Sequence, residues 1–114
     1  MALVSTITLH SEALADGSTR TVWLSRLTDG GIAIEGQDLG DLSRFFGAGV
    51  REYEWATSVA ADELPKLRTA LDGSATADIE DLVKGRFSGV RHGEFRQFCE
   101  DHDIRADFWS RFGE

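Results

Sequence analysis

The hydrophobic period of this chain changes once, near residue 60, and this change constrains the fold more than any other feature. Before it, apolar and polar residues alternate, as in Leu3–Leu9 and Glu52–Val59, which is the period of a half-buried β-strand. After it, apolar residues recur at the three- and four-residue spacing of an amphipathic helix. Strands followed by helices predict an α+β architecture: an antiparallel sheet of four to five strands with about three helices packed on one face.

Two turn signals divide the first half of the chain into strands. Residues 15–18, Ala-Asp-Gly-Ser, predict a turn between the first and second strands. Asp29-Gly30 predicts a tight hairpin in which both central residues have positive φ, and this hairpin pairs Thr19–Leu27 with Gly31–Glu35. With the alternating run at 52–59 as a fourth strand, the chain begins as an antiparallel meander.

The glycines at the two ends of residues 36–40 predict an interruption after the third strand. A helix of one or two turns should follow, with Asp38 or Asp41 as its N-cap, because a carboxylate there accepts a hydrogen bond from an unpaired amide. Such a junction is either a plain connector or a place where polar groups meet a ligand. Gln37 and Asp38 would supply those polar groups.

Three helices are predicted in the second half. The first follows Asp62 and the second follows Thr76, each a residue type that can cap a helix. Their apolar stripes are Leu64, Leu67 and Leu71 in the first and Ile79, Leu82, Val83 and Phe87 in the second. The third spans about 93–101. The alternation at 104–109 predicts either a fifth strand that returns to the sheet or a short helix.

The length and the cysteine content predict one domain, residues 1–114, in a reducing compartment. No stretch approaches the ~20 apolar residues of a membrane span, and the N-terminus lacks the pattern of a secretory signal. Cys99 is the only cysteine, so no intrachain disulfide forms. We therefore expect a cytoplasmic location and no membrane association.

The negative charge is unevenly distributed along the chain. The net charge is −8; residues 1–83 carry all of it, and residues 84–114 are balanced. A negative field repels phosphate backbones, so nucleic acid is not an expected partner. The same field favours a basic protein partner, although acidity can also serve solubility alone.

The residues of the third helix include the only cluster of metal-ligating types, but their spacing does not predict a metal site. His92 and Cys99 are two helical turns apart, about 10.5 Å along one continuous helix, whereas ligands of one zinc ion lie within about 2.3 Å of it. No zinc, nucleophile-elbow or phosphate-loop motif is present. We expect no metal, no cofactor and no catalytic residue, and we predict that Cys99 is a core residue.

Trp23 is the aromatic residue that most strongly suggests a binding surface. It shares its side of the second strand with Thr21 and Ser25, which makes that side polar. An exposed Trp23 would suit a protein interface, where tryptophan is enriched. Helices packed over that side would instead make it a core residue.

Acidic residues form a second candidate group. Glu52 and Glu54 point to one side of the fourth strand, and Glu35 projects from a neighbouring strand. Close carboxylates can raise one another's pKa and act as acid and base, or they can simply pair with arginines across the sheet (Arg20, Arg26 or Arg51). The predicted binding residues are Trp23, Glu35, Gln37, Asp38, Glu52 and Glu54.

Several segments resemble a group of small uncharacterised bacterial proteins, mostly actinobacterial. These segments are IEGQDLG at 34–40, EYEW at 52–55, ADELPKL at 61–67, DLVKGRFSG at 81–89, and the region from 95 to 109. The resemblance covers most of the chain from residue 32 onward. It implies a stand-alone cytoplasmic domain and transfers no catalytic or binding residue, because no activity is established for the group.

Three functions remain open on the sequence. The favoured one is a protein-binding module, of the immunity or antitoxin type, that engages a basic protein. The second is a small-molecule-binding protein or weak enzyme that uses the junction at Gly36–Asp38 with Glu52 and Glu54, and that requires a pocket of about 300 Å³. The third is a homodimer or larger homo-oligomer that pairs through an open sheet edge or the face of Trp23.

Overall fold

Strands and helices follow one another in the predicted order in the computed structural model, which describes residues 3–113. Within these residues the strands are β1 (Leu3–Ala13), β2 (Thr19–Leu27), β3 (Ile32–Leu39), β4 (Glu52–Val59) and β5 (Asp107–Gly113). The α-helices are α1 (Ser43–Phe46), α2 (Leu64–Ala70), α3 (Ile79–Phe87) and α4 (Phe95–Asp101). The described residues also contain two 3-10 helices. Ala61–Glu63 leads directly into α2, and Gly89–Glu94 leads directly into α4.

The five strands form one antiparallel sheet in which neighbours in sequence are neighbours in space, in the order β1-β2-β3-β4-β5. The predicted α+β class, with its N-terminal meander and its helices in the second half, is confirmed. The C-terminal tail is a strand rather than a helix. It pairs with β4 in unbroken register from Ser58↔Asp107 to Glu52↔Gly113.

The β2–β3 hairpin is confirmed, but the predicted turn type is wrong. Only Gly30 of the Asp29-Gly30 pair has positive φ, at 91°. The Gly30 N–H donates to the Leu27 carbonyl (3.0 Å), and the Leu27 N–H donates to the Gly31 carbonyl (2.9 Å). This is the three-residue loop with a glycine bulge, which also matches the twist of the flanking strands.

The predicted break at residues 36–40 is wrong, because β3 continues to Leu39. Gly36 pairs with Trp55 in the register of β3 and β4. A Cβ at Gly36 would collide with the indole ring of Trp55. The glycine therefore marks a close approach of an aromatic ring to the strand, not a change of chain direction.

The three predicted helices in the second half are present, and Pro65 lies in the first turn of α2. Their predicted caps differ. Asp78, rather than Thr76, caps α3 by accepting the Glu80 N–H at 2.9 Å. Asp62 caps no helix, because it lies inside the 3-10 helix that runs directly into α2.

The cap predicted for the short helix α1, Asp38 or Asp41, is wrong, because its N-cap residue is Leu42, which makes no side-chain capping hydrogen bond. Asp41 lies one residue earlier and forms a turn with Ser43. Its Oδ1 accepts from the Ser43 N–H (3.1 Å) and from the Ser43 hydroxyl (2.6 Å) just before the helix. Asp38 lies inside β3 and pairs with Arg20 instead. None of the helices within residues 3–113 combines the length and apolar character needed to cross a membrane.

The helices pack on one side of the sheet, here called the helix face, and the core lies between them. Arg26 on β2 and Glu80 on α3, 3.6 Å apart, link the two layers. The buried residues that form the core cluster are Leu9, Val22, Leu24, Ile32, Ile34, Val59, Leu64, Leu67, Ile79, Val83, Phe87, Phe95, Cys99 and Ile104.

The opposite side of the sheet is here called the open face. The residues that belong to the open face are identified from the strand register and from the alternation of side chains along each strand. Its middle carries three rows of residues that run across β2, β3, β4 and β5. They are Thr21–Gln37–Glu54–Arg111, Trp23–Glu35–Ala56–Trp109 and Ser25–Ala33–Ser58–Asp107.

Candidate binding site

The centre of the open face is a carboxylate held in place by two neighbours on the adjacent strand. The Trp23 indole N–H donates to Oε2 of Glu35 at 2.5 Å, and the Ser25 hydroxyl donates to the same oxygen at 3.1 Å. Trp23 and Glu35 lie directly opposite each other in the β2–β3 register. The two hydrogen bonds orient the carboxylate and leave Oε1 available as an acceptor.

Trp23 and Trp109 stand at the two ends of the same row. Three strand spacings separate them, about 14 Å between their Cα atoms. Between the two indole rings lies a cavity of about 320 Å³, with Gly36 and Trp55 at its base. Trp109 is 45% exposed, so one wall of this groove is accessible aromatic surface.

The neighbouring row closes one end of the groove with polar groups. Glu54 accepts from the Gln37 amide (3.4 Å) and from the Arg111 guanidinium (3.0 Å), and Arg111 also lies 3.7 Å from Glu52. A hydrogen bond with Glu54 is the main cause that raises the pKa of Glu52, and burial adds to it. Two carboxylates thus share one guanidinium.

The charges of the open face are mostly negative. Across the three rows it carries Glu35, Glu54 and Asp107 and, beside them, Glu52, against the single base Arg111. The helices that cover the helix face carry both positive and negative charges. α3 and α4 each contain basic and acidic residues, and the basic residues of α2 follow the acidic Glu63. The open face is therefore a surface to which a cation is attracted.

Four of the six predicted binding residues line this groove: Trp23, Glu35, Gln37 and Glu54. Glu52 joins them through Arg111. Asp38 does not, because it points to the helix face and forms a two-pronged ion pair with Arg20 (2.8 and 3.0 Å). Arg20 and Arg26 hold Asp38 and Glu80, so the partner of Glu52 and Glu54 is Arg111 instead.

Sequence reasoning missed three contributors to the site: Ser25, Trp109 and Arg111. The last two lie on β5, and only a strand at 107–113 brings them beside Glu54. The alternation at 104–109 is the available signal, but it also fits a helix, and it stops before Arg111 and the end of β5. Ser25 is fully buried although it is polar, and its hydrogen bond to Glu35 explains why.

Two residues of metal-ligating type in the second half, His92 and Cys99, pack against other side chains of the fold. His92 packs between His10 (5.4 Å between ring centroids) and Trp55 (6.0 Å), and burial is the main cause that lowers its pKa. Cys99 is a buried core residue, as predicted, and burial raises its pKa to about 11. In residues 3–113, no group of three histidine, cysteine or acidic side chains is arranged to hold a metal ion.

Comparison of the chain with models of protein families, with curated proteins and with solved structures finds no match.

Proposed function

We propose that the domain is a protein-binding module whose open face captures a basic side chain of a partner protein. What supports this proposal is the Glu35 carboxylate, oriented by Trp23 and Ser25 between two tryptophan walls. An arginine or lysine entering the groove would meet a carboxylate oxygen and an aromatic surface together. Both attract cations.

The shape of the groove favours a side chain presented by a larger partner. Its volume of about 320 Å³ suits one long side chain with its neighbours, and the three rows of the open face extend beyond it on either side. Trp109 and Trp23 supply the kind of anchor that dominates binding energy in protein interfaces. The surrounding acids would orient a basic partner during its approach.

The biological setting that we propose is that of a cytoplasmic inhibitor or adaptor that works by neutralising a basic protein, as immunity proteins and antitoxins do. The unpaired, buried thiol of Cys99 supports a reducing compartment. The excess of carboxylates on the open face supports a basic target.

The proposal is tested by titrating the domain with a short arginine-rich peptide and following the indole N–H resonance of Trp23 by NMR. We expect a saturable shift that weakens as salt is raised. Replacing Glu35→Gln should weaken the binding about tenfold, because it removes the charged acceptor while it keeps the shape. Trp109→Ala should weaken it by a similar factor.

Two controls distinguish binding in the groove from nonspecific attraction of the peptide to an acidic protein. Glu100→Gln removes one negative charge from the exposed surface of α4 and should leave the affinity unchanged. The same peptide with glutamate in place of arginine should not bind. Equal losses in Glu35→Gln and Glu100→Gln would contradict the groove as the site, and failure of the arginine-rich peptide to bind at low salt would contradict a basic partner.

A small organic cation is the alternative occupant, because the cavity is also large enough for one. About 320 Å³ meets the requirement of about 300 Å³ for a small-molecule site. The predicted junction at Gly36–Asp38 is not where this pocket forms, since both residues lie within β3 and Asp38 faces away. Tetramethylammonium as a probe tests the alternative: it should compete with the arginine-rich peptide at the Trp23 indole resonance.

A further inference from the structure

The two edges of the sheet differ in how well they are protected against pairing with another strand. The β1 edge has register shifts between Leu3 and Ser5 and between Thr8 and His10. Such bulges twist an edge away from a new partner. The β5 edge pairs with β4 without any shift, and its seven residues contain neither proline nor lysine. The β5 edge therefore lacks bulges, proline and lysine, and its protection is limited to the charges of Asp107 and Arg111, which both lie on the open face.

The backbone groups of β5 that point away from the sheet can be identified from the hydrogen bonds of its neighbours. Gly40 N–H donates to the Arg51 carbonyl at 3.0 Å, so the odd-numbered residues of β4 bond to β3. Its even-numbered residues then bond to β5, to the odd-numbered residues that lie opposite them. The Gly113 carbonyl also points toward β4, because it accepts from the N–H of Arg51, just before that strand, at 3.0 Å. The outward groups are those of Phe108, Ser110 and Phe112.

The side chains along this edge are unusually apolar for an exposed strand. Phe108 is 40% exposed, Trp109 is 45% exposed and Phe112 is 53% exposed. Phe112 also joins an aromatic cluster with Tyr53 and Phe46, at centroid distances of 4.9 and 5.1 Å. Open backbone groups and exposed aromatic rings thus occur on the same strand.

We propose that two copies of the chain pair through β5 in antiparallel orientation, with Ser110 on the twofold axis. This register uses the whole of Asp107–Gly113 and directs the outward backbone groups of each strand at those of the other. It places Phe108 opposite Phe112 of the second copy on the helix face. On the open face it places Trp109 opposite Arg111 of the second copy.

The sequence of β5 is complementary to itself in this register, which is the reason to commit to a second copy. Each phenylalanine meets a phenylalanine, and such cross-strand aromatic pairs are favourable. Each Trp109 ring meets the aliphatic stem of Arg111, whose guanidinium keeps its contacts with Glu54 and Glu52 of its own chain. Asp107 lies diagonally opposite Arg111 of the second copy, so the charges also complement one another. Because the remaining edges are the bulged β1 strands, the assembly closes as a dimer.

Sedimentation velocity over a range of concentrations tests the dimer. The parent chain should reach twice the mass of the 114-residue monomer as concentration rises. Ser110→Lys puts two like charges opposite each other at the axis and should raise the dimer dissociation constant about fivefold or more. Thr8→Lys, an exposed position on β1, is the matched control and should have no effect. A monomer at every concentration, or equal effects of the two lysines, would overturn the proposal.

A crosslink tests the register independently of affinity. In a hydrogen-bonded antiparallel pair the Cα atoms are about 5.5 Å apart, a distance that a disulfide spans. Ser110→Cys should therefore form a disulfide-linked dimer under mild oxidation, whereas Trp109→Cys should not. Cys99 is buried and should stay reduced. The reverse result would refute Ser110 as the axis, and no crosslink in either variant would refute β5 pairing. The dimer and the proposed groove share Trp109, but Glu35 lies two strands from the β5 edge. Glu35→Gln should therefore weaken peptide binding and leave the crosslinking unchanged, so the two proposals can fail independently.

Discussion

The two faces of the sheet are built from the same strands but by different rules. The helix face carries large apolar side chains that pack against α2, α3 and α4. The open face has small residues in its middle, among them Ser25, Ala33 and Ala56, each at most 1% exposed, with two tryptophans and several carboxylates around them. The helix face is explained by stability alone. The tryptophans and carboxylates of the open face are not needed to form a core, which makes that face the candidate functional surface.

The largest expected effect is on the free energy of unfolding, which should depend much more on the helix face than on the open face. Phe87 is fully buried and packs edge-to-face on Phe95 at 5.1 Å. Phe87→Ala should lower the free energy of unfolding by about 3–5 kcal/mol, because it leaves a cavity in the core. Trp109→Ala on the open face should lower it by about 1–2 kcal/mol, because the indole is already 45% exposed and leaves no cavity. Urea denaturation measures both, and comparable losses would mean that the open face is part of the core.

A substitution of intermediate effect on the free energy of unfolding is expected at Gly36, in the middle of the sheet on β3. Gly36→Ala should destabilise the fold by about 1–3 kcal/mol, because the new methyl group must displace the Trp55 ring. Gly85→Ala in α3, where an added Cβ meets open space, is the matched control and should be neutral or slightly stabilising. A harmless Gly36→Ala would show that Trp55 moves away freely.

The smallest expected effect is a pH dependence that belongs to the helix face. Burial lowers the pKa of His92 in the folded state, and the neighbouring charges of His10 and Arg20 lower it further, against Glu12 and Asp38, which raise it. Below pH 6.5 the unfolded state therefore takes up the proton first, so stability should fall as pH drops toward the folded pKa. His92→Phe should flatten that part of the stability profile between pH 5 and 7. An unchanged slope would assign the pH dependence to other groups.

Much of the fold could be predicted because local patterns carried the information. Alternation along β4 and the three- and four-residue spacing in α2 and α3 each reflect one buried face of one element. The turn residues at 15–18 and at Asp29-Gly30 placed the hairpins, although not the exact conformation of the second. The C-terminal strand was predicted only as one of two alternatives, since six residues fit either period.

The site was predicted only in part, because it depends on contacts between strands that are distant in sequence. Trp23, Glu35 and Glu54 could be placed on one face from alternation alone. The prediction of Asp38 as a binding residue depends on a chain break at Gly36 that does not occur. The predicted break at Gly36 is wrong for a physical reason: a glycine required by an approaching ring looks the same in sequence as a glycine required by a turn.

The meander with its late fifth strand has a consequence for how the chain folds during synthesis. β1 to β4 are complete at Val59, yet β5 begins only at Asp107. At ribosomal speeds of about 5–20 residues per second, the edge of β4 waits roughly 2–10 s for its partner. During that interval the nascent chain has neither Trp109 nor Arg111, and Glu52 and Glu54 lie on an unpaired strand. The ability to bind should therefore be the last property that the emerging polypeptide acquires.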